Sequence, residues 1–455
     1  MFKKILIANR GEIAVRIIRT CHELGIEAVA VYSTADRTSL HVQLADEAIC
    51  IGPAKSKDSY LNMKNILQAA ISTGCDAIHP GFGFLSENAT FSRLVEACGL
   101  TFIGPSGDVI DLLGNKSAAR SVMREMDVPV VPGSQGKIEN EEQALAWARQ
   151  IGFPVLIKAS AGGGGRGMRR AYNEEGFLDA YLTAKEEAKV CFGDDDMYIE
   201  KLVLHPKHIE FQILADRQGN VIHLGERDCS IQRRNQKMIE EAPCAKMSEA
   251  LREEMGAAAV RAAKACHYTN AGTVEFVLDE NNNYYFIEMN TRIQVEHPVT
   301  EMITGVDIVK EQIRIASGQP LSYTQDEIVI RGHAIECRIN AENPQKGFQA
   351  SPGTIKQLHL PGGLGVRIDT ALYQGYQVVP HYDSMVAKVI VHGNTRLEAI
   401  RRMRRVLEEL MIDGIDTNLE LQYVILHHSD FVRGHFNTSF IEDNLEELIG
   451  NGRTV

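Results

Sequence analysis

Apolar positions near the start of the chain follow two periods, one typical of strands and one typical of a helix. Residues 3–8 and 28–32 are short apolar runs, which predict buried strands. Between them, residues 12–24 repeat apolar side chains at helical spacing and stop before Gly25, a residue type that commonly ends helices. The order strand, helix, strand predicts a βαβ unit.

The hydrophobic pattern changes twice farther along the chain. A strand over 76–79 continues the first pattern, so we expect an open parallel α/β domain over 1–114. From residue 115 the predicted strands come in hairpins separated by helices, which indicates an α+β domain over 115–330. Beyond it, strands punctuated by proline and glycine precede a helix over 395–410, and we expect a third, mixed β/α domain over 331–455.

The composition is that of ordinary globular proteins. Of 455 residues, 44% are hydrophobic and 24% are charged, and no apolar run approaches the ~18 residues of a membrane span. The 60 acidic residues outnumber the 48 basic ones, and a net charge of −12 has the wrong sign for a nucleic-acid partner. The nine cysteines include no C-x-x-C pair, so we expect reduced core thiols, and polar residues appear too early for a signal peptide. We therefore expect a cytoplasmic enzyme that binds neither a membrane nor nucleic acid.

Four consecutive glycines occupy positions 162–165, after an apolar run over 154–157. Lys158 precedes these glycines and Arg166 follows them. Glycine amides carry no side chain that would block a phosphate, and the two cations supply the countercharge that an anion needs. The segment lacks the G-K-[ST] ending of a P-loop, so it indicates a phosphate-binding hairpin tip, and the alternative is a flexible surface turn.

Two alternating strands, 273–278 and 284–289, flank the pair Asn281-Asn282, which tolerates the positive φ of a tight hairpin turn. If the turn is centred between these asparagines, Glu275 lies directly opposite Glu288 on one face. Opposed carboxylates are destabilising unless a cation lies between them, and their oxygens suit Mg²⁺ or Mn²⁺. The register therefore predicts a metal site, and the alternative is a solvent-facing pair that water relaxes.

The second of these strands continues with a period of two over Glu288, Asn290, Arg292, Gln294 and Glu296. An ordinary amphipathic edge strand would alternate in the same way. Such a strand would not usually place two carboxylates, two amides and a guanidinium in one line. We interpret the line as metal ligands, then an anion clamp, then a general base.

Five blocks of the sequence form a recognisable set. They are IANRGEIA at 7–14, HPGFGFLSEN at 79–88, the glycine loop, ERDCSIQRR at 226–234 and EMNTRIQVEHP at 288–298. Together they resemble biotin carboxylase, the ATP-grasp component of biotin-dependent carboxylases, and the resemblance covers nearly the whole chain. It implies a central ATP-grasp domain with a mobile glycine-rich lid over about 131–203, between N-terminal and C-terminal biotin carboxylase domains.

The resemblance also implies the reaction. In the family, biotin is carboxylated by bicarbonate at the expense of ATP, giving ADP, phosphate and N-carboxybiotin. A base deprotonates bicarbonate, which attacks the γ-phosphate, and the resulting carboxyphosphate breaks down to CO₂ and phosphate. The phosphate then removes the ureido proton of biotin. The implied cofactors are ATP, two Mg²⁺ or Mn²⁺ ions, and biotin supplied on a separate carrier protein.

Carried over residue by residue, the family's motifs give a role to each matching position. The nucleotide phosphates would be held by Lys116, Lys158, Gly162, Gly163, Gly164 and Gly165. The adenine would meet Glu200, Lys201, Leu202 and Val203, the ribose would lie near His208, and Asn235 stands at a nucleotide position where the family commonly has histidine. The metal would be bound by Glu275, Glu288 and Asn290, and bicarbonate by Lys237, Arg292, Gln294 and the backbone of Val295. Glu296 would be the base, and Arg338 in the block 336–340 would stabilise the biotin enolate.

The chain has no Met-Lys-Met attachment motif for biotin and no evident carboxyltransferase domain. The resemblance therefore implies a homodimer that works with a biotin carboxyl carrier protein and a separate carboxyltransferase subunit. We expect the biotin carboxylase component of acetyl-CoA carboxylase, in fatty acid biosynthesis. The alternative is the corresponding component of pyruvate carboxylase or of another acyl-CoA carboxylase.

Two function classes outside the family remain open at this point. An ATP-grasp carboxylate–amine ligase would share the lid and the metal glutamates but would not need the block around Arg338. A non-catalytic nucleotide sensor would be expected to lack Glu296 or one of the metal glutamates, and all of them are present.

Overall fold

The computed structural model describes residues 1–134, 138–160 and 167–451. The elements of the N-terminal part are β1 (Lys4–Ile7), α1 (Gly11–Glu23), β2 (Glu27–Ser33), α2 (Leu40–Leu44), β3 (Glu47–Gly52), α3 (Met63–Ser72), β4 (Ala77–His79), α4 (Ala89–Ala97), β5 (Thr101–Phe102) and α5 (Gly107–Gly114). The strands form one parallel sheet in the order β3-β2-β1-β4-β5. The predicted open parallel α/β fold of this part is confirmed.

Helix α1 holds the N-terminal part against the rest of the molecule. Ile13 and Ile17 on its apolar face are buried in one cluster with Ile5 of β1. The same cluster contains Leu214 from the central part of the chain. Gly25, with a φ of +69°, ends the helix in a conformation that glycine adopts without strain. Burial of this shared apolar surface joins the two parts.

The central part alternates helices with antiparallel strands. Its elements are α6 (Lys116–Glu125), α7 (Glu141–Ile151), β6 (Val155–Ala159), β7 (Met168–Ala171), α8 (Phe177–Phe192), β8 (Met197–Lys201), β9 (Lys207–Ala215), β10 (Val221–Arg233), β11 (Gln236–Ala242), α9 (Glu249–Ala265), β12 (Asn270–Leu278), β13 (Tyr284–Asn290), α10 (His297–Thr304) and α11 (Ile308–Ala316). Strands β7-β6-β8, in that order, form a small antiparallel sheet, and β9 to β13 belong to a larger one. This arrangement agrees with the α+β pattern predicted for this part.

The hairpin β12–β13 carries the predicted pair of carboxylates and contains one irregularity. Glu275 lies directly opposite Glu288, as predicted. Nearer the turn, Phe276 pairs with Phe286, so β13 bulges by one residue between these two pairs. The turn is centred on Asn281 rather than between the two asparagines. The predicted register is therefore right at the carboxylates because the bulge offsets the shift of the turn.

The prediction that β13 continues to Glu296 is wrong. The strand ends at Asn290, residues 291–296 form bends and a turn, and α10 begins at His297. Pro298 lies in the first turn of α10, where a helix leaves backbone N–H groups without partners and proline has none to offer. The predicted site residues beyond Asn290 therefore lie in a connecting segment rather than along a strand.

The C-terminal part continues the large sheet of the central part. Its elements are β14 (His333–Asn340), β15 (Glu342–Asn343), β16 (Gln349–Ala350), β17 (Gly353–Thr354), β18 (Gln357–His359), β19 (Val366–Thr370), β20 (Gln377–Val378), β21 (Met385–Gly393), α12 (Arg396–Glu409), β22 (Met411–Asp413), α13 (Leu419–His427), α14 (Ser429–Arg433) and α15 (Phe440–Asn451). Strand β14 pairs with β11, which gives an eight-stranded antiparallel sheet in the order β13-β12-β9-β10-β11-β14-β21-β19. Ile239 of β11, Ile335 of β14 and Ile400 of α12 share one apolar cluster. The boundary that we predict at 330/331 therefore separates two strands of one sheet.

The small sheet lies within the predicted lid. Strands β6 and β7 pair with Lys158 opposite Met168, so the glycine run falls between two paired strands in the chain. Residues 162–165 and Arg166 lie outside the described residues. Their proposed contact with phosphate stays a prediction.

All nine cysteines belong to the described part of the chain and are free thiols. Cys50, Cys98 and Cys191 are exposed, so the prediction of core positions is wrong for these three. Cys50 lies on the edge strand β3, and the other two lie at or near the ends of helices, where solvent reaches the chain. Within the described ranges, no helix is long and apolar enough to cross a membrane.

Candidate active site

A cavity of about 1040 Å³ opens between the N-terminal, central and C-terminal parts, and it gathers the predicted site residues. Its lining includes Lys116, Lys158, Glu200, Lys201, Leu202, Val203, His208, Asn235, Lys237, Glu275, Glu288, Asn290, Arg292, Gln294, Val295, Glu296 and Arg338. Every predicted site residue that the structure describes therefore lines the same space. Its volume is that of a pocket for a ligand of nucleotide size.

Three carboxylates form a row across adjacent strands at the cavity. Glu210 of β9 lies opposite Glu275 of β12, which in turn lies opposite Glu288 of β13. The Nζ atom of Lys237 is 2.6 Å from Glu210 and 3.0 Å from Glu275. The Nζ atom of Lys116 is 3.1 Å from Glu288. Ammonium groups therefore supply the positive charge that opposed carboxylates require.

The oxygen atoms at this row fit a divalent metal ion. Glu275, Glu288 and Asn290 offer the hard oxygen ligands that Mg²⁺ prefers. Burial alone would raise the pKa of Glu275, but the charges of Lys237 and His208 hold it well below its usual range, so the carboxylate is ionised as a ligand must be. The side chain of Glu288 is 33% exposed and accessible from the cavity. A metal ion bound here would displace the ammonium groups from these oxygens.

His208 lies at the same row, beside Glu275. Its Nε2 atom is 3.1 Å from Oε2 of Glu275. Burial lowers the pKa of His208, but the carboxylates of Glu275 and Glu210 together more than offset this effect, so the net shift of the pKa is upward. The predicted contact of His208 with a ribose stays a prediction.

The carboxylate of Glu296 is held between two cations. Its Oε1 atom accepts a hydrogen bond from Lys237 at 2.7 Å, and its Oε2 atom accepts one from Arg338 at 2.9 Å. Burial would raise the pKa of Glu296, but Lys237, Arg338 and Arg227 hold it well below its usual range. Lys237 in turn has a raised pKa because three carboxylates surround it. Both groups are therefore charged at rest.

Arg338 reaches this point from β14 of the C-terminal part. Its Nε atom donates to Glu240 at 2.6 Å, while Nη2 donates to Glu296. Glu240 lies on the neighbouring strand β11, directly opposite Glu336. The guanidinium is thus fixed by two carboxylates from two different segments, at the border between the predicted bicarbonate and biotin positions.

Gln294 and Arg292 lie on the segment after β13, with well-defined partners. The amide of Gln294 donates to Glu275 at 2.8 Å and accepts from Arg227 at 2.7 Å. Arg292 donates to Glu87 at 3.0 Å and to Asn290 at 3.1 Å. Hydrogen bonds therefore keep both side chains at the cavity despite the absence of a regular strand.

The other end of the cavity contains the predicted nucleotide residues. Lys158 contacts Glu200, and Arg120 donates to the same carboxylate at 2.6 Å. The ammonium of Lys201 donates to the backbone carbonyls of residues 152 and 153, at 2.9 and 3.0 Å, and is thereby anchored to the segment that precedes β6. Leu202 and Val203 line the cavity beside it, and their contact with an adenine stays a prediction.

Asn235, which departs from the family's common histidine, lies in the turn between β10 and β11. Arg234 and Asn235 form a two-residue hairpin loop, and both have positive φ values of +49° and +63°. Asparagine is among the residues that this kind of turn favours. The turn geometry gives a local reason for asparagine at this position.

Sequence reasoning missed four residues that hold the site together. Glu210 is one, although polar residues at 208, 210 and 212 alternate with apolar ones along β9 and could have revealed it. Arg227 is fully buried and donates five hydrogen bonds, to Glu210, Gln212, Thr273, Gln294 and Thr300. Glu87 and Glu240 are the others. Glu87 lies in the block 79–88 that carries the family resemblance, but nothing in that block indicates its partner, and no local pattern marks Glu240.

Comparison with known proteins identifies close relatives along the whole chain. Family models match residues 1–110 as "Biotin carboxylase, N-terminal domain", 115–324 as "Carbamoyl-phosphate synthase L chain, ATP binding domain" and 336–443 as "Biotin carboxylase C-terminal domain". Biotin carboxylase 1 of Bacillus subtilis is 59% identical over 97% of this chain and 98% of its own length.

Two solved structures extend the similarity to the fold. The biotin carboxylase domain dimer of the Hydrogenobacter thermophilus 2-oxoglutarate carboxylase, in complex with MgADP, ADP and bicarbonate, has a TM-score of 0.95 and 53% identity, covering 98% of this chain and 99% of that one. The biotin carboxylase subunit of pyruvate carboxylase, in a second structure, has a TM-score of 0.85 and 52% identity, with the same coverage of 98% and 99%.

Proposed function

The chain belongs to the biotin carboxylase family, its reaction is the ATP-dependent carboxylation of biotin, and we propose that bicarbonate supplies the carboxyl group in the cavity around Glu296. One observation carries this proposal. The carboxylate of Glu296 lies between Lys237 and Arg338, at 2.7 and 2.9 Å, where the predicted bicarbonate and biotin positions meet. The bicarbonate bound by the Hydrogenobacter thermophilus domain supports the same anion here.

ATP and Mg²⁺ would extend from the carboxylate row beside Lys237 toward Lys158 and Glu200. We expect Lys116 and Lys158 to exchange their carboxylate partners for nucleotide phosphates, and Leu202 and Val203 to meet the adenine. Glu275, Glu288 and Asn290 would hold the divalent ions, Mg²⁺ or Mn²⁺ and two in number. When bound, such ions neutralise the charge that develops on the transferred phosphate. The MgADP and ADP of the Hydrogenobacter thermophilus domain support this assignment.

Bicarbonate would lie against Lys237, Arg292, Gln294 and the backbone of Val295, with Glu296 as its base. At rest Glu296 is a weak base, because the neighbouring cations lower its pKa. An anion bound to Lys237 shares that positive charge, which raises the pKa of Glu296 and makes it a stronger base. The deprotonated bicarbonate then attacks the γ-phosphate, and carboxyphosphate forms as the bond to ADP breaks.

Biotin would enter on the side of Arg338. Carboxyphosphate breaks down to CO₂ and phosphate, and the phosphate takes the N–H proton of the ureido ring. The nitrogen then attacks CO₂ to give N-carboxybiotin. During this step negative charge develops on the ureido oxygen, and the guanidinium of Arg338, already fixed by Glu240, would stabilise it.

The substitution Glu296→Gln tests the proposed base. It keeps the shape of the side chain and one of its two acceptor oxygens, and it removes the basicity. Lys237 retains Glu210 and Glu275 as partners, so we expect the fold and nucleotide binding to survive. Bicarbonate-dependent ATP hydrolysis should fall by about 10²–10⁴-fold, the usual contribution of a general base.

The matched control is Glu253→Gln, which removes one carboxylate from the exposed face of α9. We expect this variant to bind nucleotide and hydrolyse ATP at the rate of the unchanged protein. Normal turnover in the Glu296→Gln variant would refute the assignment of the base.

The biological setting of the reaction is also part of the proposal. We propose a homodimer, supported by the dimer of the Hydrogenobacter thermophilus domain, and a cytoplasmic location, supported by nine free thiols. A biotin carboxyl carrier protein and a carboxyltransferase subunit would be the partners. Acetyl-CoA is the acceptor that we expect, and reconstitution with purified carrier and carboxyltransferase, offering acetyl-CoA, pyruvate or 2-oxoglutarate, would identify it.

A further inference from the structure

Lys388, in the middle of β21, is a lysine with no exposed surface that the proposed reaction does not use. Taking an ammonium group out of water is costly unless charges and hydrogen bonds compensate it. The compensation at Lys388 is specific. Its Nζ atom lies 3.1 Å from Oε1 of Glu12 and 3.8 Å from Oδ2 of Asp369, and it donates a hydrogen bond to the carbonyl of Val295 at 2.9 Å.

These three partners come from different parts of the chain. Glu12 belongs to the first turn of α1, Asp369 to β19, and Val295 to the segment that leads into α10. Lys388 itself lies opposite Arg338, the residue that holds Glu296 from β14. One ammonium thus connects the N-terminal part and the large sheet to the residue before Glu296.

The hydrogen bond to Val295 bears on the orientation of Glu296. The carbonyl of Val295 and the N–H of Glu296 belong to one rigid peptide plane. A donor that holds this carbonyl therefore fixes the peptide plane, and with it the position of the Cα atom from which the side chain of Glu296 starts. Glu296 is also the residue before α10, yet its side chain makes no capping hydrogen bond and instead reaches Lys237 and Arg338.

The charge of Lys388 strengthens its hydrogen bond to the carbonyl of Val295. Burial lowers the pKa of Lys388, but the charges of Glu12, Glu336 and Asp369 together more than offset this effect, so the net shift of the pKa is upward. The group is therefore an ammonium at neutral pH and a strong donor. A hydrogen bond from a charged donor is stronger than one between neutral groups. The contact with Val295 should therefore persist when an anion binds nearby.

We propose that Lys388 is a positioning residue of this active site, which holds the Val295–Glu296 peptide so that Glu296 and the backbone of Val295 face bound bicarbonate. This inference rests on the proposed function, since it assigns bicarbonate to that end of the cavity. Lys388 touches neither bicarbonate nor nucleotide in this proposal, and it acts through the peptide.

The substitution Lys388→Met shortens the unbranched side chain by one atom and removes the donor and the charge. We expect the KM for bicarbonate to rise by about tenfold or more, the scale for losing a hydrogen bond from a charged group, and the kcat of bicarbonate-dependent ATP hydrolysis to fall. The KM for ATP should stay within about twofold, since Lys388 contacts none of the predicted nucleotide or metal residues. Loss of a residue with a merely structural role would not raise the KM for bicarbonate while leaving the KM for ATP unchanged.

The same substitution leaves Glu12 buried without its cation, and the protein would lose stability for that reason. The double variant Lys388→Met/Glu12→Gln removes the uncompensated charge. We expect it to recover most of the Tm while its KM for bicarbonate stays high. Arg396→Met is the matched control, because Arg396 is a largely buried cation that contacts Glu241 and the backbone carbonyls of 431 and 432, away from the cavity. It should lower the Tm and leave the KM for bicarbonate unchanged.

The outcomes separate this inference from the proposed function. If the unchanged protein shows no bicarbonate-dependent ATP hydrolysis, the proposed function fails. If it is active and the double variant regains a normal KM for bicarbonate together with its Tm, Lys388 is a structural residue and the inference is wrong. An equal rise of both KM values in the Lys388→Met variant would also overturn it.

Discussion

Arg338 shows how one side chain at this site can serve two purposes. It contacts the fully buried Glu240, and it also contacts Glu296, whose other oxygen accepts a hydrogen bond from Lys237. Burial raises the pKa of Glu240 to about 7, even though Arg338 opposes that shift. Glu296 remains ionised because two further cations surround it. The guanidinium is therefore held in place by one acid while the other faces the proposed reaction.

The substitution Arg338→Lys tests this separation of purposes. Lysine keeps the charge but cannot bridge Glu240 and Glu296 in one plane. We expect bicarbonate-dependent ATP hydrolysis without biotin to continue near its usual rate. Carboxylation of free biotin should fall by about 10²-fold or more, the scale for losing one positioned group that stabilises developing charge.

Both reactions are measured on one preparation, and Arg331→Lys, at an exposed position just before β14, is the control. An equal fall of the two rates in the Arg338→Lys variant would place this arginine in the bicarbonate or nucleotide site instead.

At the residue scale, the sequence predicts which side chains carry chemistry better than it predicts their partners. The polar residues at 288, 290, 292, 294 and 296 line the cavity as predicted. Arg227 donates to Gln294, and Glu240 holds Arg338, but the sequence does not reveal either pairing. Their function depends on contacts across several strands, and no local period contains that information.

The hairpin β12–β13 shows at the scale of an element why a register can be predicted and a strand end cannot. Alternation and turn residues place Glu275 opposite Glu288, and the structure agrees. The end of the strand at Asn290 is set by α10, whose start depends on Pro298 and on packing against the large sheet. A period of two persists in the sequence after the strand itself has stopped.

The substitution Glu288→Gln tests the metal assignment on this hairpin. It removes one ionised oxygen ligand, so activity should require a several-fold higher concentration of Mg²⁺ or Mn²⁺. Stability without metal should change by less than about 1 kcal/mol, because the pair with Lys116 is partly exposed to solvent.

Glu280→Gln at the tip of the same hairpin is the control, since it removes an equal charge outside the cavity. Titration of activity with metal, together with thermal unfolding, distinguishes the variants. An unchanged metal requirement in the Glu288→Gln variant would count against the site.

At the scale of the whole molecule, the eight-stranded sheet is the feature that local patterns do not reveal. Proline and glycine begin to interrupt the predicted strands near residue 331, yet β14 continues the sheet to which β11 belongs. The two parts also share an apolar core across this boundary. Strand pairing between distant segments depends on the complete fold, so it is not visible in the periodicity of either segment.

This continuity predicts that a cut at the boundary does not divide the protein. A protease site introduced shortly before the boundary, into the partly exposed segment 318–324, allows the chain to be cleaved after folding. We expect the two fragments to elute together in gel filtration and to separate only in denaturant, because the β11–β14 pairing and the shared core hold them. Separate elution under native conditions would show that the two parts are independent domains.

The pairing of cations with carboxylates in the resting cavity determines how the site meets its substrate. Lys237 touches three acids, Arg338 touches two, and Arg292 is paired with Glu87. A small anion that arrives there replaces existing partners and does not fill an empty cationic pocket. Its affinity is then the difference between two similar energies, which makes binding weak and release rapid. If bicarbonate binds there as proposed, its occupancy would therefore follow the bicarbonate concentration.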